Sequence, residues 1–159
     1  MKESIIVREL QPSEYKVLED FLYEAIFIPE GVVPPPKSVI SRPELRLYIN
    51  NFGGKDDNAL AAVVDGRIVG AVWTRIMNDY GHIDDETPSF AIALYKEYRG
   101  LGIGTEMMKR MLALLKSKGC ARASLAVQKA NYAVKMYQRV GFEIVDSNDE
   151  EYIMVCELM

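Results

Sequence analysis

Apolar and polar positions in the first third of the chain switch between strand and helix periodicity. The run Ser4–Glu9 is rich in Ile and Val and predicts a short strand. Apolar residues at near-helical spacing after Pro12-Ser13 predict a helix, which the breaker sequence Ile28-Pro29-Glu30-Gly31 ends. The segment Val32–Pro43 contains four prolines and predicts a stiff surface loop, followed by a short helix over Glu44–Phe52.

The remainder of the chain predicts strands that alternate with helices. Two β-type runs, Ala59–Val64 and Ile68–Met77, meet at the hairpin signal Asp65-Gly66, and the polar segment Asn78–Thr87 is expected to be a loop. The later expected elements are strands at Ser89–Leu94, Arg122–Val127, Phe142–Val145 and Tyr152–Leu158, with helices from Gly104 to Gly119 and from Ala130 to Val140. This order predicts a single α/β (α+β) domain over residues 1–159, with a mixed sheet and helices on its faces.

Composition narrows the functional classes. The chain has 159 residues and a formal charge of −4, and this acidity argues against a nucleic-acid partner. No run of about 20 apolar residues is present, and no signal-peptide pattern opens the chain, so no membrane association and a cytoplasmic location are expected. Cys120 and Cys156 lie far apart in apolar runs, which disfavours a disulfide framework, a zinc site or a catalytic pair with His82.

A glycine-rich segment carries the strongest chemical signal. Residues Tyr98–Gly104 read YRGLGIG, and they connect an apolar strand to an amphipathic helix. Glycines allow the backbone to turn tightly and approach a ligand, and the free N–H groups of a helix N-terminus favour an anion. The segment therefore predicts a phosphate or pyrophosphate site, although a turn that serves only chain reversal is the alternative.

Two common nucleotide motifs do not fit this segment. A P-loop requires Gly-Lys before Ser or Thr, whereas Gly104 is followed directly by Thr105. A dinucleotide fingerprint requires a glycine three residues after Gly102, where Thr105 stands, and an acidic residue about 20 positions further on. Neither pattern is present.

The segment instead resembles the coenzyme A signature of the GCN5-related N-acetyltransferase (GNAT) family. That signature is Arg or Gln, two residues, Gly, one residue, then Gly or Ala, and Arg99, Gly102 and Gly104 match it. A second family feature follows in the correct order, in the sequence NYAVKMYQRVGF, at Asn131, Ala133, Tyr137, Gly141 and Phe142. The resemblance extends from about Ala59 to Phe142.

The resemblance implies the GNAT acyl-CoA N-acyltransferase fold and transfer of an acetyl group from acetyl-CoA to a primary amine, without a metal. The strand residues that would pair with the pantetheine arm are Ile92, Ala93 and Leu94, and a backbone N–H near Leu94 would polarise the thioester carbonyl. Asn131 would bind the pantetheine, and Tyr137 would be the general acid. The residues whose backbone amides would hold the pyrophosphate are Arg99, Gly100, Leu101, Gly102, Ile103, Gly104 and Thr105.

Two roles stay open at this point. Periodicity alone places Tyr137 on the apolar face of its helix, where a core aromatic is the alternative to a general acid. The general base is expected at Glu86, near the position where some family members carry a catalytic glutamate, while His82, Glu30 or water are the alternatives. The alternative to a catalytic role is that the segment around Glu86 is a solvated acidic turn without a function in catalysis.

The acceptor is expected to be an amine of a small molecule or a peptide, and the segment Ile28–Pro43 falls where the family builds its acceptor pocket. The apolar residues expected there are Phe27, Ile28 and Val32, and those expected near the 3′-phosphate are Lys129, Lys135 and Arg139. A homodimer through the strand Tyr152–Leu158 is also possible. A coenzyme A-binding module without turnover and a transferase of longer acyl groups are the alternative functions.

Overall fold

One seven-stranded sheet forms the centre of the computed structural model, which describes residues 4–159. The strands are β1 (Ile5–Glu9), β2 (Asn58–Val64), β3 (Arg67–Arg75), β4 (Ser89–Leu94), β5 (Arg122–Gln128), β6 (Glu143–Ser147) and β7 (Glu151–Glu157). Their order is β1-β2-β3-β4-β5-β7-β6, and every neighbouring pair is antiparallel except β4 and β5, which are parallel. The mixed sheet that the sequence predicts is therefore confirmed, and most of its strand pairs are antiparallel.

Four helices cover the two faces of the sheet. They are α1 (Val17–Glu24), α2 (Pro43–Arg46), α3 (Ile103–Ser117) and α4 (Ala133–Arg139). The α3 face carries α3 and α4 over a core that includes Leu60 and Phe90, and the α1 face carries α1 and α2 over a core that includes Ala61 and Trp73. Because strand residues alternate between faces and both faces are covered, every residue of β2 is buried.

The two helices of the N-terminal segment are shorter than the sequence predicts. Residues Pro12–Glu14 form a separate 3-10 turn, in which the Gln11 N–H donates to the Glu14 carboxylate at 2.8 Å. The helix expected over Glu44–Phe52 ends at Arg46 in the structure. Its continuation is lost because side chains of β3 take the carbonyl groups that follow: Trp73 Nε1 donates to the Tyr48 carbonyl at 3.0 Å, and Arg75 donates to the carbonyls of Leu47 and Asn50.

The predicted hairpin between β2 and β3 is present. Asp65 and Gly66 have φ angles of 50° and 77°, the positive values that a two-residue turn between twisted strands requires. The chain reverses again between β6 and β7, where the Asn148 side chain accepts from the N–H groups of Glu150 and Glu151.

The structure corrects the expected dimer contact through the C-terminal strand. Strand β7 lies inside the sheet and is hydrogen-bonded to β5 on one side and to β6 on the other. Neither of its edges is left to pair with a second chain. The edge on this side of the sheet is β6, whose five residues are all exposed.

Candidate active site

A gap opens between β4 and β5, the one parallel pair of the sheet. Within the described chain, Ser89 of β4 and Ser124 of β5 are the only residues in ladder register. The Ser124 N–H donates to the Pro88 carbonyl at 2.9 Å, and beyond this point the two strands separate. We call the Ser89–Ser124 end of the gap its apex. The strands therefore form a V that opens towards their C-terminal ends.

The antiparallel register of β3 and β4 decides which backbone groups face this gap. Ala93 is paired with Ala71 in continuous register, and the Tyr95 N–H donates to the Val69 carbonyl at 3.0 Å. Odd-numbered residues of β4 thus direct their N–H and carbonyl groups to β3. The even-numbered residues Ile92 and Leu94 direct theirs into the gap, as do Ala126 and Gln128 of β5 by the same alternation.

This alternation separates the three β4 residues named from the sequence. The amides of Ile92 and Leu94 face the gap. The backbone of Ala93 faces β3 instead, and its side chain is buried in the core of the α1 face. The Leu94 carbonyl already accepts from Arg99 Nε at 3.0 Å, so Leu94 offers the gap a donor alone.

The glycine-rich loop follows β4 after a 3-10 turn, Lys96–Tyr98, and adopts the conformation that its sequence predicts. Gly100 and Gly102 have φ angles of 76° and 85°, in the left-handed region that side-chain-bearing residues seldom adopt. Gly104 lies in the first turn of α3, and a Cβ atom there would make only ordinary contacts of 3.7 Å with Met136 and 3.8 Å with Leu94. Glycine is therefore needed for conformation at 100 and 102 but not at 104.

The loop ends at the N-terminus of α3. The Gly102 carbonyl accepts the first bond of the helix, from the Glu106 N–H at 3.2 Å, and Ile103 is buried beneath the first turn. The N–H groups of residues 103–105 precede the first intrahelical donor and point out of the helix end. Together with the helix dipole they form a site for an anion.

The first residue of the signature, Arg99, connects this loop to α1. Its guanidinium donates to the Glu24 carbonyl at 3.1 Å and to the Glu24 carboxylate at 3.2 Å, in addition to the Leu94 carbonyl. Glu24 is the last residue of α1. The Arg99 side chain thus holds the beginning of the glycine loop against the C-terminal end of α1.

Tyr137 lies in the core of the α3 face. Its ring packs against Phe142 with centroids 6.1 Å apart, and Phe142 in turn packs against Phe90 of β4 at 5.6 Å. Burial raises the pKa of the Tyr137 phenol above its usual range. The side chain belongs to the core, as periodicity indicates, and its phenol stays protonated throughout the physiological range.

Asn131 precedes α4 and has a local structural role. Its side-chain oxygen accepts from the Ala133 N–H at 2.9 Å, which leaves the amide NH₂ group as its free donor. The three basic residues named from the sequence are all exposed, and Lys129 lies over the Tyr152 ring at 5.4 Å. Lys135 and Arg139 project from the solvent side of α4.

The expected general base, Glu86, is a surface residue. Glu86 is exposed and lines a surface cavity of about 550 Å³ together with Lys118 and Gly119, which follow the C-terminal end of α3. The glycine loop lies at the other end of this 15-residue helix, about 22 Å away at 1.5 Å per residue. Glu30 is exposed in the proline-rich segment, and His82 is half-buried with its Nε2 3.5 Å from the Asp85 carboxylate.

The proline-rich segment is held to α1. The Tyr23 hydroxyl donates to the Pro35 carbonyl at 2.5 Å, and Lys37 forms an ion pair with Asp20. Val32 is 52% exposed, while Phe27 and Ile28 are half-buried. These contacts place an apolar, restrained loop beside the C-terminal end of α1.

Sequence reasoning missed one group of side chains at the apex of the gap. Asp79 accepts from the Ser89 hydroxyl at 3.1 Å and from the Tyr48 hydroxyl at 3.1 Å. Burial raises the pKa of the Asp79 carboxyl, while its two hydrogen bonds act in the opposite direction. Nothing in the polar segment Asn78–Thr87 distinguishes Asp79 from its acidic neighbours, and its partners are distant in sequence.

These features fit coenzyme A. Oriented N–H groups at the glycine loop match a pyrophosphate, and a peptide-like pantetheine arm matches the donors of Ile92 and Leu94 along one side of an open strand pair. Within residues 4–159 no set of three or more His, Cys, Asp or Glu side chains is arranged to hold a metal ion. In the same residues no helix is long and apolar enough to span a membrane.

Residues 22–142 match the acetyltransferase (GNAT) family, which covers most of the chain. The chain therefore belongs to the GNAT family, whose members use acetyl-CoA, and the resemblance seen in the sequence is confirmed. A [ribosomal protein bS18]-alanine N-acetyltransferase of Haemophilus influenzae is 34% identical over 68 residues, which are 43% of this chain and 47% of that protein. An acetyltransferase of Sodalis glossinidius is 33% identical over 93 residues, 57% and 61% of the two chains.

The chain thus matches about half to three fifths of the length of these curated relatives. Structural similarity to solved proteins covers more of the chain than these sequence matches do. The PaiA N-acetyltransferase of Thermoplasma acidophilum, solved in complex with coenzyme A, superposes with a TM-score of 0.69 at 20% identity. That superposition covers 97% of this chain and 99% of the other, so the likeness extends to the whole fold.

Proposed function

We propose that this chain transfers the acetyl group of acetyl-CoA to a primary amine of a small molecule or a peptide. The observation that carries the proposal is the gap between β4 and β5, which opens directly onto the glycine loop. One molecule of acetyl-CoA can place its phosphates at the glycine loop and its pantetheine arm along the N–H donors of β4 that face the gap. The name of the Haemophilus influenzae relative supports a peptide N-terminus among the candidate acceptors.

Each proposed role rests on a group already located. The amides of residues 100–105 bind the pyrophosphate, whereas the Arg99 N–H already donates to the Lys96 carbonyl at 3.2 Å. Ile92 and Leu94 bind the arm through their N–H groups. One of these two N–H groups stabilises the oxyanion by about 3–4 kcal/mol, as a positioned donor does in other acyl transfers. The free NH₂ group of Asn131 binds the arm from the side of α4. Acetyl-CoA supplies an activated thioester carbonyl.

Tyr137 is the proposed general acid. Its phenol remains protonated because burial disfavours the phenolate, so a proton is available for the leaving sulfur. An alkyl amine with a pKa near 10.4 is neutral in only about one molecule in 10³ at pH 7, so a base is also needed. The sequence offers three side chains for this general base, namely the exposed Glu86 and Glu30 and the half-buried His82.

A thiol-release assay with acetyl-CoA tests the proposal. The acceptors are polyamines, aminoglycosides, amino acids and short peptides that begin with alanine. Release that depends on one of these amines, together with its acetylated product, is the expected result. Coenzyme A binding without release across the set would favour a binding module, and faster release from butyryl-CoA than from acetyl-CoA would favour a transferase of longer acyl groups.

The substitution Tyr137→Phe tests the acid. We expect turnover to fall by about 10²-fold while acetyl-CoA affinity, measured by calorimetry, stays nearly unchanged. Tyr132→Phe is the matched control, because Tyr132 directly precedes α4 and is 73% exposed. Intact turnover in Tyr137→Phe would show that another group protonates the sulfur.

A further inference from the structure

The loop between β3 and β4 lies on the sheet at the apex of the gap. A Cβ atom on Gly81 would come within 3.1 Å of the backbone of Leu125 and Ala126, so the loop contacts β5 directly. The Ser124 hydroxyl donates to the Gly81 carbonyl at 2.8 Å and anchors the loop there. Asp79, two residues earlier, is thereby placed over the closed end of the gap.

The contacts of Asp79 locate its carboxylate more closely. One oxygen accepts from Ser89, the single β4 residue in register with β5 among the residues described, and the other accepts from Tyr48 of the α1 face. From Leu94 to Ser89, β4 spans about 17 Å at 3.3 Å per residue. A ligand arm that runs from the glycine loop along β4 therefore delivers its end towards Asp79.

Asp79 and Tyr137 approach the gap from opposite faces. Ser89 and Phe90 are consecutive strand residues and point to opposite sides of the sheet. Asp79 is bonded to Ser89 on the α1 face, while Tyr137 is linked to Phe90 through Phe142 on the α3 face. A proton donor and a proton acceptor thus lie on opposite faces of the sheet, each connected to a β4 residue at the closed end of the gap.

The surroundings of Asp79 leave it free to accept a proton. Among residues 4–159 its hydrogen-bond partners are two neutral hydroxyls and the backbone N–H groups of Asp79 and Gly81, and no cation is among the groups that shift its pKa. Half-buried Glu151 of β7 is the charged residue that interacts electrostatically with Asp79. Tyr48 interacts with both of these carboxylates, and Tyr80 interacts with Glu151 and Asp146. The pair of carboxylates attracts an ammonium group, and burial of Asp79 favours its protonated state.

We propose that Asp79 is the catalytic base of the transfer, with Tyr48 and Ser89 as positioning residues that aim its carboxylate at the acceptor amine. The proposal rests on the acetyl-transfer function proposed above. It assigns the role to a half-buried carboxylate that is hydrogen-bonded at the apex of the gap, in place of the exposed Glu86.

The protons and bonds balance as follows. Asp79 takes one proton from the acceptor ammonium group and later releases it to solvent. The neutral nitrogen forms a bond to the thioester carbonyl carbon, and the carbon–sulfur bond breaks. Tyr137 donates its proton to the sulfur and regains the second nitrogen proton through solvent.

The variant Asp79→Asn, which keeps the side-chain shape, tests the base. With spermidine and with an alanine-initiated peptide as acceptors, we expect turnover to fall by about 10²-fold or more and the acid limb of the pH–rate profile to disappear. Calorimetric affinity for coenzyme A is expected to stay within about threefold. Asp85→Asn is the matched control on the same loop, since the Asp85 side chain is 94% exposed, and its profile should equal that of the native chain.

Two further measurements test the same carboxyl. Tyr48→Phe removes a donor to the charged form, so the acid limb should move to higher pH rather than vanish. In carbon-13 spectra, the carboxyl signal missing from Asp79→Asn should titrate in the native chain above the reference pKa of about 3.9. Unchanged turnover and acid limb in Asp79→Asn, or a titration midpoint at or below that reference, would overturn the proposal.

The outcomes for the base and for the function are distinct. A native chain that transfers acetyl groups while Asp79→Asn remains fully active overturns the role of Asp79 and leaves acetyl transfer standing. A native chain that transfers to none of the amines overturns the proposed function, and the role of Asp79 with it.

Discussion

Gly102 is the residue at which the glycine loop depends most directly on backbone conformation. Its φ of 85° lies in the left-handed region, and a Cβ atom built there meets nothing within 4 Å. Gly102→Ala therefore introduces no clash, and its whole effect comes from the backbone. An alanine in this region costs roughly 1–2 kcal/mol.

This cost is divided between folding and binding. If the loop keeps its conformation without a ligand, the free energy of unfolding falls by about 1–2 kcal/mol. If the loop relaxes, the cost appears on binding, and the dissociation constant for coenzyme A rises by about 5- to 30-fold. The two losses should sum to the same total, which urea unfolding and calorimetry with coenzyme A measure together.

Gly104→Ala is the matched control in the same signature. Gly104 lies inside the first turn of α3, where the added Cβ makes contacts no closer than 3.7 Å. Alanine is favoured over glycine in a helix by up to ~1 kcal/mol, so stability should rise slightly while coenzyme A affinity stays within about threefold. Equal losses at Gly102 and Gly104, or no loss at Gly102, would refute the conformational argument.

Two further predictions concern stability. Asp84 has its pKa lowered to about 2, first by the Thr87 hydroxyl, then by the Glu86 N–H and by Arg122. Asp84→Asn should therefore destabilise the chain at neutral pH, and urea unfolding should show the difference shrinking as pH falls from about 4 towards 2, because the depressed carboxyl stabilises only while ionised. Leu18→Ala in α1, where Leu18 is fully buried, should cost about 2–5 kcal/mol by the same measurement, whereas Val33→Ala, 84% exposed, should change it by less than about 0.5 kcal/mol.

The glycine loop and the order of the elements were predictable because their causes are local. The positive φ angles at Gly100 and Gly102 belong to a loop between one strand and one helix, and the spacing of the signature encodes both. The turn at Asp65-Gly66 was predictable for the same reason. Strand and helix periodicity likewise identified the mixed sheet, although it placed some element ends several residues away.

The predictions that were wrong concern features that depend on contacts between distant segments of the chain. The helix after Pro43 ends early because Trp73 and Arg75, on β3, take the carbonyl groups that would have continued it. Nothing within residues 44–52 encodes that competition. The expected dimer contact at the C-terminal strand failed for a similar reason, since only the assembled sheet shows that β7 is paired on both sides.

The sequence by itself determined the family, the conformation of the glycine loop and the buried position of Tyr137, because each depends on residues close together in the chain. The tertiary structure alone decided which amides of β4 face the gap, since the register with β3 turns Ala93 away and leaves Ile92 and Leu94 free. It also assembled Asp79 with Tyr48 and Ser89, which are 31 and 10 residues away along the chain. These side chains come together at the apex only when the chain folds. No local sequence pattern predicts their contacts, because the residues are far apart along the chain.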